Sequence, residues 1–378
     1  MSDSNGAEPS LLRSWVEISR SALAQNVCRV RDLVPEGTKI LAVVKANAYG
    51  HGVRCVVPEL LPFVQWFGVA CAAEAARVRE FAGAQSILIL SPILSGEREW
   101  VVRSGFVPVI SSWEEALGLD ETACVLGVHS VEVHVAVDTG MGRMGVWEGE
   151  ALALLGRIRS LPRVRVTGVG THFPSADEDP EFTRGQIRSF ESLLHDTPQT
   201  KGEFMEVHLA NSAGLLDFGT SCASLVRPGL LLYGVSPLPQ SSSGFRAAMT
   251  WKTRITLVRA LGVGCSVSYG RTFIAPRPMR VATLAVGYAD GYPRSVSGKG
   301  AEVLVRGRRC AVLGRVTMDQ IIVDVTECGD VRAGEEVVLL GTQGGEQVPV
   351  EEIAQKAGTI PWEIFTGVGE RVERVSVE

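Results

Sequence analysis

The residues best suited to chemistry are an amine and a set of hydroxyl, guanidinium and imidazole groups that close apolar runs. In AVVKANAYGHG, Ala42 to Gly52, apolar residues from Ile40 to Val44 read as a buried strand that stops on Lys45. A lysine there is costly to bury unless it is paired or chemically used. Desolvation pushes an amine below its usual pKa of about 10.4. That is the state needed for imine formation with an aldehyde. A lysine capping a strand, or paired with a buried carboxylate, fits this stretch equally well. Asn47, Gly50 and Gly52 carry the chain into a turn and a helix, and the hydroxyl of Tyr49 could reach a phosphate.

Four further runs end in the same manner. One ends on Asp138 and leads into TGMGRMG, a glycine-flexible loop that can bring Arg143 to a carboxylate as a bidentate pair. A solvated arginine on a surface turn is the other reading. The next ends in THF at His172, either a functional imidazole or a satisfied core group, with Asp177 beyond it. HLANSAG places Asn211 and Ser212 at a helix start, which is an anion site or an ordinary cap. VRPG offers the N–H groups of Gly229 and Leu230, with Arg227 on the strand itself as a site residue or half of a structural ion pair. Five polar clusters at strand ends on one face are poorly explained by packing. Later in the chain, VSYGRTF (Tyr269), VGYADGYPR (Tyr288, Arg294) and VTMDQ (Met318, Asp319) read by composition as turns between strands.

The elements that must position these groups alternate. Apolar strands are predicted over Ile40–Ala46, Trp66–Cys71, Ser86–Leu90, Phe106–Ile110, Val131–Asp138, Val164–His172, Phe204–Ala210 and Ser224–Pro228. Helical periodicity fills Ser21–Val34, His51–Leu61, Ala72–Phe81, Gly96–Ser104, Trp113–Leu126, Glu148–Ser160, Pro180–His195 and Ser212–Phe218. Eight such units argue for a closed parallel (β/α)8 barrel, in which chemistry sits at the C-terminal strand ends. An open doubly wound sheet is the alternative, but no GxGxxG follows the first strand. Beyond a Ser241–Gly244 linker, short alternating runs predict a mostly antiparallel β domain: Thr253–Ala260, Val281–Gly287, Ala301–Val305, Ile321–Val325 and Glu336–Gly341. A helix over Pro349–Lys356 and a last strand at Val372–Val377 complete it. The expected division is residues 1–18 as tail and strand, 19–243 as barrel and 244–378 as β domain.

With 46% hydrophobic and 21% charged residues, the 378-residue chain can bury a large core. A net charge of −5 without a basic run argues against nucleic acid as partner. No apolar run is long enough to span a membrane. The eight cysteines contain no CxxC pair, so reduced thiols in a cytoplasmic protein are expected, with no metal site. The polar start MSDSNGAEPS shows no secretory signal.

Taken in order, AVVKANAYGHG, VDTGMGRMG, GVGTHF, HLANSAG, VRPGLLLYG, VSYGRTF, VGYADGYPR and GRVTMDQ resemble the motifs of alanine racemases, pyridoxal-phosphate enzymes of the barrel class. The resemblance runs from Ile18 to the last strand. It implies that Lys45 binds the cofactor aldehyde. Tyr49, Asn211, Ser212, Gly229 and Leu230 would serve its phosphate end, and Arg227 its ring nitrogen. His172 would lie beside the ring and bond Arg227. Tyr269, from the partner chain of a homodimer, would be the second acid/base. Arg143 would hold Tyr269 and the substrate carboxylate. Met318 and Asp319 would lie at the substrate, and Tyr288, Arg294 and Asp177 would line the entrance.

The implied reaction is the interconversion of L- and D-alanine for the bacterial cell wall, with Lys45 on one face of the substrate and Tyr269 on the other. Arg227 does not give up its proton, so the ring nitrogen should stay unprotonated. Three positions depart from the family. Ala136 stands seven residues before Arg143, where many members have a carbamylated lysine, so an anion such as chloride, or another side chain, is expected beside Arg143 instead. Trp362 replaces a tyrosine that touches the phosphate, and it has one donor and no acceptor. Thr317 replaces a common cysteine. The rival readings are a racemase of serine or of broader range, a barrel decarboxylase and a non-catalytic cofactor carrier. The absence of a cysteine-bearing loop at VTMDQ opposes the decarboxylase. The presence of Tyr269 and a β domain opposes the carrier.

Overall fold

The structure is a computed structural model that describes residues 12–197, 206–220, 222–241 and 243–378. The chain divides into two compact units. One comprises Ser21–Ala48 and Val56–Arg246; the other joins the N-terminal segment up to Arg20 with Tyr49–Cys55 and Ala247–Glu378.

The first unit is a nearly closed barrel of eight parallel strands: Lys39–Val43, Trp66–Val69, Ser86–Ile89, Val107–Ile110, Val131–Asp138, Val164–Gly170, Glu206–His208 and Leu225–Val226. Leu225 and Val226 pair with Lys39 and Ile40, which brings the last strand back to the first. Two backbone bonds bridge the remaining seam, Ser224 N to Val207 O and Arg227 N to Ala210 O, both 3.0 Å. The strands are almost wholly buried because helices cover their outer face, so they read as apolar runs rather than alternations. The helices are Arg20–Asp32 (all but its first residue in this unit), Val53–Leu60 (from Val56 onward in this unit), Ala72–Ala82, Arg98–Ser104, Trp113–Leu126, Glu148–Ile158, Pro180–Asp196 and Ser212–Phe218. Their starts follow capping chemistry. Ser112 and Glu115 form a reciprocal box, and Asp179 accepts from Phe182 N at 3.0 Å just before Pro180.

The predicted strand Ile40–Ala46 ends its pairing at Val43, because the backbone turns left-handed from Ala46 onward. The helix expected from His51 starts at Val53, after two glycines at positive φ. The first two residues of the Phe204–Ala210 strand, and Ser242 of the linker, lie outside the described residues.

The second unit is built on a nine-stranded sheet. Its longest strand, Met249–Leu261, pairs antiparallel with Ser14–Ser19, Met279–Leu284 and Glu336–Gln343. Ser14–Ser19 is interior to the sheet, with Glu373–Val377 parallel on its other side. Trp15 and Trp251 are buried where these strands meet. Glu302–Val305, Arg308–Leu313 and Ile321–Asp324 complete one antiparallel run. The Arg308–Leu313 strand and a short helix over Pro361–Thr366 were not expected from sequence: the strand opens with two arginines, and the helix is only six residues long.

Candidate active site

Lys45 emerges where the first barrel strand stops. Ala46, Asn47, Ala48 and Tyr49 all take left-handed conformations, with φ between 51° and 55°. Each costs roughly 1–2 kcal/mol for a non-glycine residue, so this is a strained turn of the kind found at functional sites. Two bonds hold its barrel half. Ala48 N donates to Val44 O at 2.8 Å, and Ala46 N donates to the Glu74 carboxylate at 2.7 Å. Glu74 accepts from Ala70 N with its other oxygen, 2.8 Å, so the carboxylate ties the first two strand ends together. The Lys45 amine is held below its ordinary pKa, first by desolvation and then by the Arg143 charge. Glu74 opposes this, and Arg227 adds to it. Tyr49 follows in the second unit, buried, and burial pushes its phenol up to about 12.

Arg227 is the centre of the barrel's polar interior. Its guanidinium bonds His208 Nδ1 at 2.6 Å and His172 Nδ1 at 3.1 Å. It also donates to the carbonyls of Thr171 (2.8 Å) and Leu209 (3.3 Å). His208 Nε2 in turn lies 2.9 Å from His134 Nδ1. Burial and the Arg227 charge hold His172 and His134 down to about 3, and push His208 well below its ordinary value. The three imidazoles are therefore neutral and Arg227 is the charge, with burial lowering its pKa only to about 10. Glycines make the room. A Cβ on Gly168 would meet the His134 ring at 2.5 Å, and one on Gly170 would meet the His208 ring at 2.1 Å.

At the end of the seventh strand, Asn211 caps the Ser212–Phe218 helix by accepting from Gly214 N at 2.8 Å. The Ser212 hydroxyl accepts from Gly229 N at 3.0 Å and from Leu231 N at 3.4 Å. Both of its lone pairs are then used, and its own O–H is left to donate. Asp138 shapes the loop that carries Arg143. Its carboxylate accepts from the N–H groups of Gly140, Met141 and Gly142 at 2.8–3.1 Å. Arg143 itself is exposed, and among the described residues no carboxylate is within ion-pair reach of it. Asp177 is exposed on the loop after His172.

The remaining predicted residues belong to the second unit. Tyr269 is 73% exposed, on a turn where Ser268, Gly270 and Arg271 all have positive φ. Ser268 Oγ anchors this turn by donating to Arg315 O at 2.6 Å. Met318 and Tyr288 are exposed, and their two turns dock through backbone bonds. Tyr288 N donates to Thr317 O (2.9 Å) and Ala289 N to Met318 O (3.0 Å). Asp319 pairs with Arg371 at 2.9 Å, and Arg371 also holds the buried Asp290 at 3.0 Å. Trp362 is half-buried on the Pro361–Thr366 helix, and Arg294 opens a short helical turn. Tyr288 and Arg294 also line a cavity of about 520 Å³ with Tyr292 and Glu363.

The structure thus brings Lys45, Ala136, Arg143, His172, Asp177, Asn211, Ser212, Arg227, Gly229 and Leu230 onto one barrel unit, and Tyr49, Tyr269, Tyr288, Arg294, Thr317, Met318, Asp319 and Trp362 onto the β unit. Sequence reasoning missed Glu74, His134 and His208. A histidine inside an otherwise apolar strand, VEVHV, and two glycines spaced by one residue, TGVG, were the available signals.

A parallel barrel followed by an antiparallel β domain, with a desolvated lysine at the end of the first strand, is the architecture of barrel-class amino-acid racemases. Residues 18–237 match the family profile "Alanine racemase, N-terminal domain", and residues 248–376 match "Alanine racemase, C-terminal domain". An alanine racemase of Halothermothrix orenii is 40% identical over 365 residues, covering 96% of both chains. One of Symbiobacterium thermophilum is 39% identical, covering 98% of each. Among solved structures, the alanine racemase of Clostridium difficile 630 superposes with a TM-score of 0.90 at 31% identity, over 97% of this chain and 96% of that one. That of Streptomyces coelicolor A3(2) gives 0.89 at 33% identity, over 98% and 99%. The chain belongs to the alanine racemase family.

Proposed function

We propose that this chain interconverts L- and D-alanine as a homodimer, with pyridoxal phosphate bound in the barrel, and so supplies D-alanine for the cell wall. The residues present fit that cofactor. Lys45 offers a depressed amine for its aldehyde. Ser212 has an unspent O–H, and because the N–H groups of Gly229 and Leu231 are given to its oxygen, that O–H with the Leu230 N–H between them suits a phosphate. Arg227 offers donors only, which suits an unprotonated ring nitrogen. When bound, pyridoxal phosphate supplies the conjugation that spreads the charge left at Cα when its proton departs.

The chain's own groups do the rest. Inversion takes a proton from one face of Cα and returns one on the other, so two fixed groups suffice where a single base would have to swing round. The Lys45 Nζ takes or returns the proton on the face of the D-isomer, and the Tyr269 Oη does so on the face of the L-isomer. Arg227 keeps its proton because two neutral imidazoles and two carbonyls surround it, none of them a base strong enough to take it. A partner that offers donors only would leave the ring nitrogen unprotonated when the cofactor is bound, which disfavours side reactions. Arg143 is exposed, has no carboxylate partner among the described residues of its own chain, and is available for the substrate carboxylate. Asn211 holds the start of the helix that presents Ser212. Leu230 adds an N–H at the phosphate.

The lowered pKa of Lys45 beside two guanidinium groups carries this reading. The exposure of Tyr269 on its anchored turn supports its service to a second chain. The test mixes Lys45→Ala and Tyr269→Phe subunits, each inactive alone. If Tyr269 acts across the dimer, every mixed dimer holds one intact site, and activity returns to about a quarter of wild type. No recovery places Tyr269 in its own chain's site or outside any site. Ala136 and Trp362 keep a broader substrate range in view, and turnover of L-serine faster than L-alanine would establish it.

A further inference from the structure

We propose that His134 is a positioning residue that fixes the tautomer of His208 and, through it, the seat of Arg227. This rests on the reading that Arg227 meets the cofactor ring. The argument runs outward from the arginine. A guanidinium has donors and no acceptor, so the nitrogen it contacts at 2.6 Å, His208 Nδ1, must present a lone pair. A neutral His208 then carries its proton on Nε2. That N–H points at His134 Nδ1, 2.9 Å away, which must accept it. The two rings lie 28° from coplanar with centroids 5.1 Å apart, as an in-plane N–H···N bond requires. His134 is left with its proton on Nε2, a buried atom without a hydrogen-bond partner among the described residues, and its ring lies against Trp66 at 5.2 Å.

The chain of donors has one direction only: Arg227 to His208 to His134. The backbone is built to hold it. His134 sits opposite Gly168 across one strand pair, and His208 sits opposite Gly170 across the next. Any side chain at either glycine would strike an imidazole. A buried N–H left at His134 is costly, so a site that retains it uses the acceptor on the other side of the same ring. Without an acceptor at position 134, the His208 Nε2–H is orphaned. The ring then turns away from the guanidinium in search of a partner for that N–H; once the 2.6 Å contact is lost nothing holds the proton on Nε2, and the Nδ1–H form appears.

The test is solid-state ¹⁵N NMR of histidine-labelled holoenzyme, with kinetics on two variants. Wild type is expected to show His208 and His134 both protonated on Nε2. His134→Leu removes the acceptor, and His208 is expected to gain the Nδ1–H form. The expected kcat falls roughly 10- to 100-fold, the size of one unmet buried bond, with KM for alanine unchanged. His134→Gln supplies a carbonyl acceptor and is expected to restore the Nε2–H form of His208 and most of kcat. A wild-type His134 protonated on Nδ1 overturns the proposal without any variant, even if His134→Leu does not fold. A His134→Leu enzyme with unchanged His208 signals and unchanged kcat overturns it equally. A wild-type enzyme that shows the expected tautomers but no racemase activity removes the proposed function, and with it only the link from Arg227 to catalysis.

Discussion

Acid should unfold this protein steeply, and the three barrel imidazoles set the slope. His134 and His172 are held down to about 3, and His208 is also pushed well below its ordinary value. In the unfolded chain each would titrate near 6.5. The folded-state values are depressed, so as pH falls the unfolded chain binds protons first and the folded state loses ground. The loss begins near pH 6.5 and continues down to about 3. Each extra proton on the unfolded chain contributes about 1.4 kcal/mol per pH unit. Between pH 6 and 5 three nearly protonated histidines give a slope of about 3–4 kcal/mol per unit, and carboxylates scarcely titrate there. The summed loss is about 6 kcal/mol by pH 5 and about 10 kcal/mol by pH 4, so a fold in the lower half of the ordinary range, about 5–10 kcal/mol, is exhausted near pH 4–5. Urea denaturation followed by tryptophan fluorescence at half-unit steps of pH measures the slope directly. His134→Gln removes one proton from the count and should lower the slope by about 1.2 kcal/mol per unit. A wild-type slope below about 1.4 kcal/mol per unit, the value for a single proton, would show that the histidines are not neutral in the folded chain.

Three substitutions test the local geometry. Gly50→Ala combines a φ of +75° with a Cβ only 1.9 Å from Phe365 O, so it should cost at least ~3 kcal/mol or prevent folding, read as melting temperature and soluble yield. Ala46→Gly relieves one residue of the left-handed turn, at φ 51° and exposed, and should stabilise by about 1 kcal/mol; a lower melting temperature would refute the strain. Ser212→Ala removes the acceptor shared by Gly229 N and Leu231 N, and should cost about 1–3 kcal/mol together with a roughly tenfold or greater loss of pyridoxal-phosphate affinity by equilibrium dialysis.

Much of the barrel was readable because its strands are buried on both faces and its helices carry their own caps. Trp113–Leu126 and Ser212–Phe218 lie where periodicity put them. The left-handed turn was not readable. Alanine and asparagine do not announce four consecutive residues at positive φ, and only tertiary partners such as Glu74 hold them there. His134 and His208 went unassigned because each looks like an isolated polar residue in an apolar strand. Their meaning depends on Gly168 and Gly170, which meet them only when neighbouring strands come into register. The Ser14–Ser19 strand was seen, but its place inside the C-terminal sheet depends on partners more than two hundred residues away.

That placement bears on the order in which the protein is made. Ser14–Ser19 leaves the ribosome before either of its flanking strands, Met249–Leu261 and Glu373–Val377. At roughly 5–20 residues per second, its edges wait on the order of 20–70 s for both neighbours. Throughout that interval a nascent strand bearing Trp15, Val16 and Ile18 has no sheet to join, while the barrel behind it can already form. A newborn chain is thus most vulnerable to aggregation and proteolysis at its beginning, and a slower ribosome would lengthen that exposure.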